Sequence, residues 1–155
     1  MFLSTFEKQL DAKRRIVAPA DYRAHLTAPF EGVFCFPSIE FDCLECGGKA
    51  LFDRYTAMIE ELQFGDPLRT ALETSVRAGM HMLAFDTAGR ITLPETVCRD
   101  LDLTDWVVVA GMGERFQIWN REAFAAHRAA QREAARAGLA QLREQQRLAR
   151  AGVGA

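Results

Sequence analysis

Residues 86–94 read Asp86-Thr87-Ala88-Gly89-Arg90-Ile91-Thr92-Leu93-Pro94, and they repeat the pattern of residues 11–19, Asp11-Ala12-Lys13-Arg14-Arg15-Ile16-Val17-Ala18-Pro19. Asp, Arg, Ile and Pro occupy the same offsets in the two stretches, which lie 75 residues apart. An internal repeat of this kind sets the organisation of a whole chain. We therefore interpret the 155 residues as two copies of one small unit.

Each copy of the motif lies at a predicted bend between two short strands. An aspartate before a turn accepts a hydrogen bond from the backbone N–H two residues on, so Asp11 and Asp86 are expected to shape the bends. Gly89 tolerates a positive φ at its position. Arg14 stands at the matching place in the first copy and is expected to resist that conformation.

The remainder of each copy predicts a second strand, a short helix and a hairpin. The period-two alternation after the bend turns Ile16 and Ile91 towards a core and the neighbouring arginines towards solvent. Between the copies, two apolar stripes at helical spacing predict helices, separated by Gly65 and the cap Asp66-Pro67. These stripes either pack into the core or line a subunit contact. A lone copy of about 50 residues buries little surface, so we also expect oligomerisation.

Charge is distributed unevenly along the chain, although the net charge is only -2. Residues 1–120 contain 12 Lys+Arg and 18 Asp+Glu, while residues 121–155 contain 7 Arg and 3 Glu. This last segment is rich in Ala, Arg and Gln, and we predict it to be helical or disordered. The sequence has no apolar run of about 18 residues, as a membrane span requires, and no signal-peptide pattern. We expect a cytoplasmic protein without a membrane partner.

The residue patterns of known enzymes and metal sites are weak in this chain. Cys43 and Cys46 form a C-x-x-C pair, but no second ligand pair follows, so packing thiols are favoured over metal or redox chemistry. Asp11 and Asp86 could form an acid–base pair, yet turn formation explains them more simply. We predict no catalytic residue, no cofactor and no metal site.

The basic turns carry the functional interpretation. Arg15 and Arg90 occupy equivalent sites, so the repeat predicts that they share one face, and Lys13 and Arg14 add charge to the first copy. Arginine forks bind phosphate and guanine edges, and a two-stranded β element fits the major groove. A solvated basic hairpin turn is the alternative that these residue types leave open.

At these residues the chain resembles the MraZ family, whose members carry two tandem AbrB-like (SpoVT/AbrB) domains. The first family pattern, D-x-K-G-R, is matched by residues 11–15 except at Arg14, where glycine is usual. The second, D-x-x-G-R-[IL]-x-x-P, is matched in full by residues 86–94. The similarity extends from about residue 1 to residue 124.

The resemblance implies a mixed α+β, mainly β fold of two swapped-hairpin, double-split β-barrel-like units. These would be AbrB-like domain 1 (1–50), a helical linker (51–78), AbrB-like domain 2 (79–124) and a C-terminal tail (125–155). It also implies an octameric or dodecameric ring, associated with the nucleoid. Such a ring binds short direct repeats upstream of the division and cell-wall gene cluster, including its own operon, as a transcriptional regulator.

The family's DNA contacts map onto Lys13, Arg15 and Arg90, with Arg14 as an addition. Asp11, Asp86 and Gly89 would shape the turns. Two other functions are consistent with the pattern. One is an AbrB-like antitoxin that binds DNA and a small toxin, and the other is an assembly protein with no role in nucleic-acid binding.

Overall fold

The computed structural model describes residues 1–153, whose helices and strands follow the predicted order. The first copy contains β1 (Thr5–Gln9), β2 (Arg15–Val17), α1 (Ala20–Arg23), β3 (Gly32–Pro37) and β4 (Leu44–Gly47). The linking segment contains α2 (Lys49–Glu60) and α3 (Pro67–Leu72), which continues into a π-helical turn (Glu73–Arg77). The second copy contains β5 (His81–Ala84), β6 (Arg90–Thr92), α4 (Glu95–Asp100), β7 (Trp106–Gly111) and β8 (Phe116–Asn120).

The chain forms two compact units, of which the first ends at Arg121. The second is helix α5 (Arg121–Val153) from residue 122 onward. The C-terminal segment, predicted as helical or disordered, is therefore helical up to residue 153. Its last two residues lie outside the described part of the chain. Among residues 1–153, no helix has both the length and the apolar character needed to cross a bilayer.

The two copies share one six-stranded sheet with the strand order β1-β7-β8-β4-β3-β5. Strand β1 of the first copy pairs antiparallel with β7 of the second, and β5 of the second pairs with β3 of the first. Each copy therefore contributes its first strand to the hairpin of the other. A single copy would leave these sheet edges unpaired, which explains why one copy of this size does not complete a core.

Strands β2 and β6 form a separate antiparallel ribbon, with one strand from each copy. Ile16 lies directly opposite Ile91, and both side chains are buried. Additional backbone bonds extend the pairing, because Leu93 N donates to Arg14 O at 2.8 Å and Ala18 N donates to Gly89 O at 3.2 Å. The ribbon therefore links the bend of the first copy to the bend of the second.

Both bends place their fourth residue in the left-handed region. Arg14 has φ 61° and Gly89 has φ 73°. Arg14 was expected to resist this conformation, but it adopts it, and its Nε donates to Leu93 O of the other copy at 3.2 Å. Gly89 is buried beneath Arg23, whose guanidinium occupies the space that a Cβ would need. The two bends thus share a backbone shape that different side-chain contacts support.

Two apolar clusters stabilise the compact unit formed by residues 1–121. The larger lies between the sheets and contains Tyr22, whose ring packs against Phe2, Phe6 and Phe116 and whose hydroxyl donates to Leu3 O at 2.7 Å. The smaller joins the linking helices to the sheet through Phe36, Leu51, Ile59 and Val76. Core packing therefore accounts for the inner part of the predicted apolar stripes.

Helix α3 begins at the predicted cap, whereas α2 ends at Glu60, ahead of the predicted stop at Gly65. Asp66 caps α3 by accepting a hydrogen bond from Leu68 N at 2.8 Å, and Pro67 follows in the first turn. Gly65, before the cap, has φ 90°. At this tip, Phe64 is 92% exposed and Leu68 is 57% exposed, so the outer part of the stripes is not covered by the described chain.

The cysteines are free thiols in the interior, as expected for packing residues. Cys35 lies opposite Cys46 in the β3–β4 pair. Burial, reinforced by the charge of Glu45, raises the pKa of Cys43 to about 12. A thiol with so high a pKa is a poor nucleophile and a poor metal ligand at neutral pH. Within residues 1–153, no group of three or more metal-binding side chains occurs.

A buried glutamate in β4 was not predicted from the sequence. Glu45 is only 4% exposed, and its carboxylate accepts hydrogen bonds from Arg115 Nε and Gln117 Nε2, both at 2.8 Å. The Gln117 side chain in turn accepts from Trp119 Nε1 at 3.0 Å. Because β4 pairs with β8, this polar chain links the hairpins of the two copies.

We predict that Glu45→Ala lowers the free energy of unfolding by about 2–4 kcal/mol, because it leaves the buried partners of the carboxylate unpaired. Chemical denaturation would measure the loss. Glu40→Ala, at an exposed site of the same hairpin, is the control and should change stability by less than about 0.5 kcal/mol. Equal effects of the two substitutions would contradict a structural role for Glu45.

Gly89→Ala is expected to destabilise the protein by about 1–2 kcal/mol, because a left-handed φ strains any residue that has a Cβ. The measurement is thermal unfolding, repeated in an Arg23→Ala background. An equal loss in both backgrounds is expected, since the Arg23 side chain is flexible and can move away. If Gly89→Ala costs no stability in the Arg23→Ala background, then contact with Arg23, and not the left-handed backbone, is the reason for glycine at this position. Gly138→Ala, where the added Cβ meets nothing, is the control.

Candidate nucleic-acid interface

One aspartate organises each bend through the same set of hydrogen bonds. Asp11 Oδ1 accepts from Lys13 N at 2.9 Å and from Arg15 N at 2.8 Å. Asp86 Oδ1 accepts from Ala88 N at 2.9 Å and from Arg90 N at 2.8 Å. The structure therefore places both aspartates, as the repeat suggested, where they close the turns.

The second oxygen of each carboxylate holds the arginine that follows the turn. Arg15 Nε lies 2.7 Å from Asp11 Oδ2, and Arg90 Nε lies 2.7 Å from Asp86 Oδ2. Because these pairs use Nε, the Nη1 and Nη2 edge of each guanidinium remains available for a ligand. Arginine presents this edge to planar acceptors such as phosphate oxygens and guanine edges.

The same hydrogen bonds keep the carboxylates ionised. The backbone N–H of Arg15 has the largest effect and lowers the pKa of Asp11; burial opposes it, and the Arg15 side chain and the Lys13 N–H lower the pKa further. The pKa of Asp86 is lowered in the same way by Arg90 and Ala88. Both arginines are thus held by charged partners across the neutral pH range.

Arg15 and Arg90 lie on the same, solvent-facing side of the β2–β6 ribbon. Arg15 is paired with Thr92 and Arg90 with Val17, while the intervening Ile16–Ile91 pair faces the core. The arginines are therefore diagonal neighbours across the two strands, with their Cα atoms about 7–8 Å apart. The structure brings together the two equivalent arginines that the repeat singled out.

The other two predicted residues occupy different environments. Lys13 is exposed at the tip of the first bend. Arg14 is half-buried, and its Nε is used by Leu93 O. Of the residues predicted to contact DNA, Lys13, Arg15 and Arg90 present their charge outward, whereas Arg14 makes a structural contact within the ribbon.

A shallow depression beside the ribbon contains residues that were not predicted as part of the site. Its lining includes Lys8 and Trp106 together with Arg15 and Arg90. Lys8 lies on β1 and Trp106 on β7, and these strands are neighbours only through the pairing between copies. Strand alternation places Lys8 on the same face as Phe6, and the Lys8 ammonium lies over the Phe6 ring. No local signal in the sequence places it beside the arginine of the second copy.

The comparison with known families matches both halves of the chain. A family model described as "MraZ protein, putative antitoxin-like" matches residues 1–74 and 77–146. The two matches follow the internal repeat, and the second extends to residue 146, beyond residue 124, where the similarity was expected to end.

Relatives of similar length carry one name. "Transcriptional regulator MraZ" of Phenylobacterium zucineum (strain HLK1) is 73% identical over 150 residues, covering 97% of this chain and 94% of the relative. The protein of the same name from Caulobacter vibrioides (strain NA1000 / CB15N) is 70% identical over 155 residues, covering 100% and 99%. That from Rickettsia typhi (strain ATCC VR-144 / Wilmington) is 37% identical over 125 residues, covering 80% and 84%. The internal repeat, the twin Asp–Arg turns and these matches together show that the chain belongs to the MraZ family.

Proposed function

We propose that this protein is a transcriptional regulator that binds DNA through the β2–β6 ribbon, with Arg15 and Arg90 reading base edges. The observation that carries the proposal is the duplicated turn, in which an aspartate holds an arginine on the exposed face of a two-stranded ribbon. Relatives named transcriptional regulators support it. No catalytic step is part of this function.

The ribbon has dimensions that suit the major groove. A two-stranded antiparallel ribbon fits that groove, and arginine binds the O6 and N7 atoms of guanine through two N–H groups. The diagonal separation of about 7–8 Å between the arginines is close to two base-pair steps of about 3.4 Å each. Arg15 and Arg90 would therefore reach base pairs about two steps apart, while Lys13 contacts phosphate.

The Asp–Arg pairs prepare both arginines for binding. A free arginine side chain loses rotamer freedom when it is immobilised at an interface, and this loss weakens binding. In each turn, the carboxylate already restricts that freedom through a 2.7 Å contact. The same carboxylates add negative charge near DNA, so a single subunit is expected to bind weakly.

Several subunits acting together would offset the weak binding of one. We propose the homo-oligomeric ring that the family resemblance implies, octameric or dodecameric, bound to short direct repeats upstream of the division and cell-wall gene cluster and of its own operon. Linked sites gain affinity from a high effective concentration. The exposed Phe64 and Leu68 of the linker tip support a contact between subunits, because large exposed apolar groups favour association.

Further parts of the proposal concern the fold and the location of the protein. The exchange of β1 and β5 between hairpins supports two AbrB-like units of the swapped-hairpin, double-split β-barrel-like type. They would correspond to residues 1–50 and 79–124, joined by the linker 51–78 and followed by the tail 125–155. A regulator of this kind would be cytoplasmic and associated with the nucleoid.

The description of the family as antitoxin-like favours one alternative. In that case the protein would bind DNA and also a small toxin. Co-purification of a stoichiometric small protein with the tagged chain, from its native host, would favour this function. Isolation of the chain alone, with DNA binding intact, would favour regulation without a toxin partner.

We predict that Arg15→Ala and Arg90→Ala each weaken binding to the protein's own upstream DNA by about 1–3 kcal/mol, or roughly 5- to 150-fold. Fluorescence anisotropy with the upstream fragment and a scrambled duplex would measure both affinity and discrimination. Arg99→Ala, an exposed arginine on α4, is the matched control. Binding of the doubly substituted protein at wild-type affinity, with its fold intact, would show that the site is elsewhere.

Lysine substitutions separate base reading from simple attraction. Arg15→Lys and Arg90→Lys keep the charge but lose the two-pronged donor edge. They are expected to lose discrimination between upstream and scrambled DNA while largely retaining the salt dependence of binding. Full discrimination by these variants would assign the arginines to phosphate contact only.

A further inference from the structure

Helix α5 carries its charge on one side. It contains seven arginines and three glutamates, namely Arg121, Arg128, Arg132, Arg136, Arg143, Arg147, Arg150, Glu122, Glu133 and Glu144. At about 100° per residue, all seven arginines fall within an arc of about 100°. The glutamates lie along one border of that arc. The rest of the helix circumference has no formal charge and consists mainly of Ala and Gln.

Ion pairs within the helix neutralise only the border of this arc. Glu133 pairs with Arg136 at 3.1 Å, and Glu144 pairs with Arg147 at 2.7 Å. Four arginines of the arc have no ion pair within residues 1–153, and all are exposed; they are Arg128, Arg132, Arg143 and Arg150. We call these four the arginine stripe. They span about 33 Å along the helix axis, at about 1.5 Å per residue.

The arginine stripe is unfavourable for the isolated helix. Arg128 and Arg132 are separated by one turn, and like charges at this spacing destabilise a helix. Their axial separation of about 6 Å is less than the Debye length of about 8 Å at physiological salt, so their fields add. Arginines that alternate with glutamates would solvate the helix equally well, with less repulsion between like charges. The arrangement is better explained by a polyanionic ligand.

We propose that the arginine stripe binds the phosphate backbone of DNA and supplies a sequence-independent part of the affinity. This inference rests on the proposed function. Guanidinium groups bind phosphate oxygens in a bidentate manner. The step of about 6 Å between Arg128 and Arg132 is close to two phosphate steps of about 3.4 Å along one strand. The stripe thus adds attraction to any duplex, while Arg15 and Arg90 select the sequence.

The distribution of apolar residues argues against an anionic membrane as the ligand. A helix that lies on a membrane needs its large apolar residues on one face, opposite the basic one. At 100° per residue, Leu148 lies opposite the arginine arc, whereas Phe124, Leu142 and Val153 lie beside the arc. Leu139 falls within the arginine arc. The helix therefore has a basic face without an apolar face opposite it.

The test replaces Arg128, Arg132, Arg143 and Arg150 with glutamine in the full-length protein. Anisotropy measurements between 50 and 200 mM salt would use the upstream fragment and a scrambled duplex of equal length. We expect both affinities to fall by a similar factor, on the order of tenfold or more. The log–log salt slope should decrease by about 2–4, because each phosphate contact contributes about 0.9. Circular dichroism would verify that the helix persists.

A fourfold lysine variant at the same positions is the matched control, because it keeps the charge and should retain most of the affinity and slope. Affinities and slopes unchanged in the glutamine variant would overturn the proposal. So would unchanged DNA binding combined with lost binding to phosphatidylglycerol vesicles, which would assign the stripe to a membrane. If the wild-type protein fails to discriminate the upstream fragment, the proposed function fails, but the slope difference still tests the stripe.

Discussion

The site depends on the contacts that one aspartate carboxylate makes in each bend. One oxygen accepts two backbone N–H groups, and the other holds the arginine that enters the ribbon. These bonds set the direction in which β2 and β6 leave their turns, and the ribbon they form lies between the two copies. The position of each arginine is thus set by hydrogen bonds within five residues, whereas the partnership of the two arginines is set by the pairing of the copies.

The two copies reach the same bend with different side chains. Gly89 takes a left-handed φ at little cost and makes room for Arg23. Arg14 takes nearly the same φ and binds Leu93 O across the ribbon. A hydrogen bond between copies thus offsets, in the first bend, strain that glycine avoids in the second. The consequence for the site is that the first bend offers Lys13 and Arg15 to a ligand, whereas Arg14 contributes to the ribbon.

The features that could be predicted from the sequence are local ones. The aspartates, the prolines after β2 and β6, and the Asp66 cap act within a few residues, so their patterns predicted the bends and helices. Strand partners could not be read from residue patterns, because β1–β7 and β3–β5 pairing joins residues far apart in the chain. Lys8 and Trp106 were missed for that reason. Glu45 was missed because its partners lie about 70 residues away, on β8 and the preceding turn.

The most direct test of the central claim is a structure of the protein bound to a duplex from its own upstream DNA. The account predicts that the β2–β6 ribbon lies in the major groove, with Nη atoms of Arg15 and Arg90 within about 3.2 Å of base-edge acceptors. It also predicts that the Asp11–Arg15 and Asp86–Arg90 pairs persist in the complex. A complex in which the ribbon faces solvent and another surface contacts the bases would contradict it.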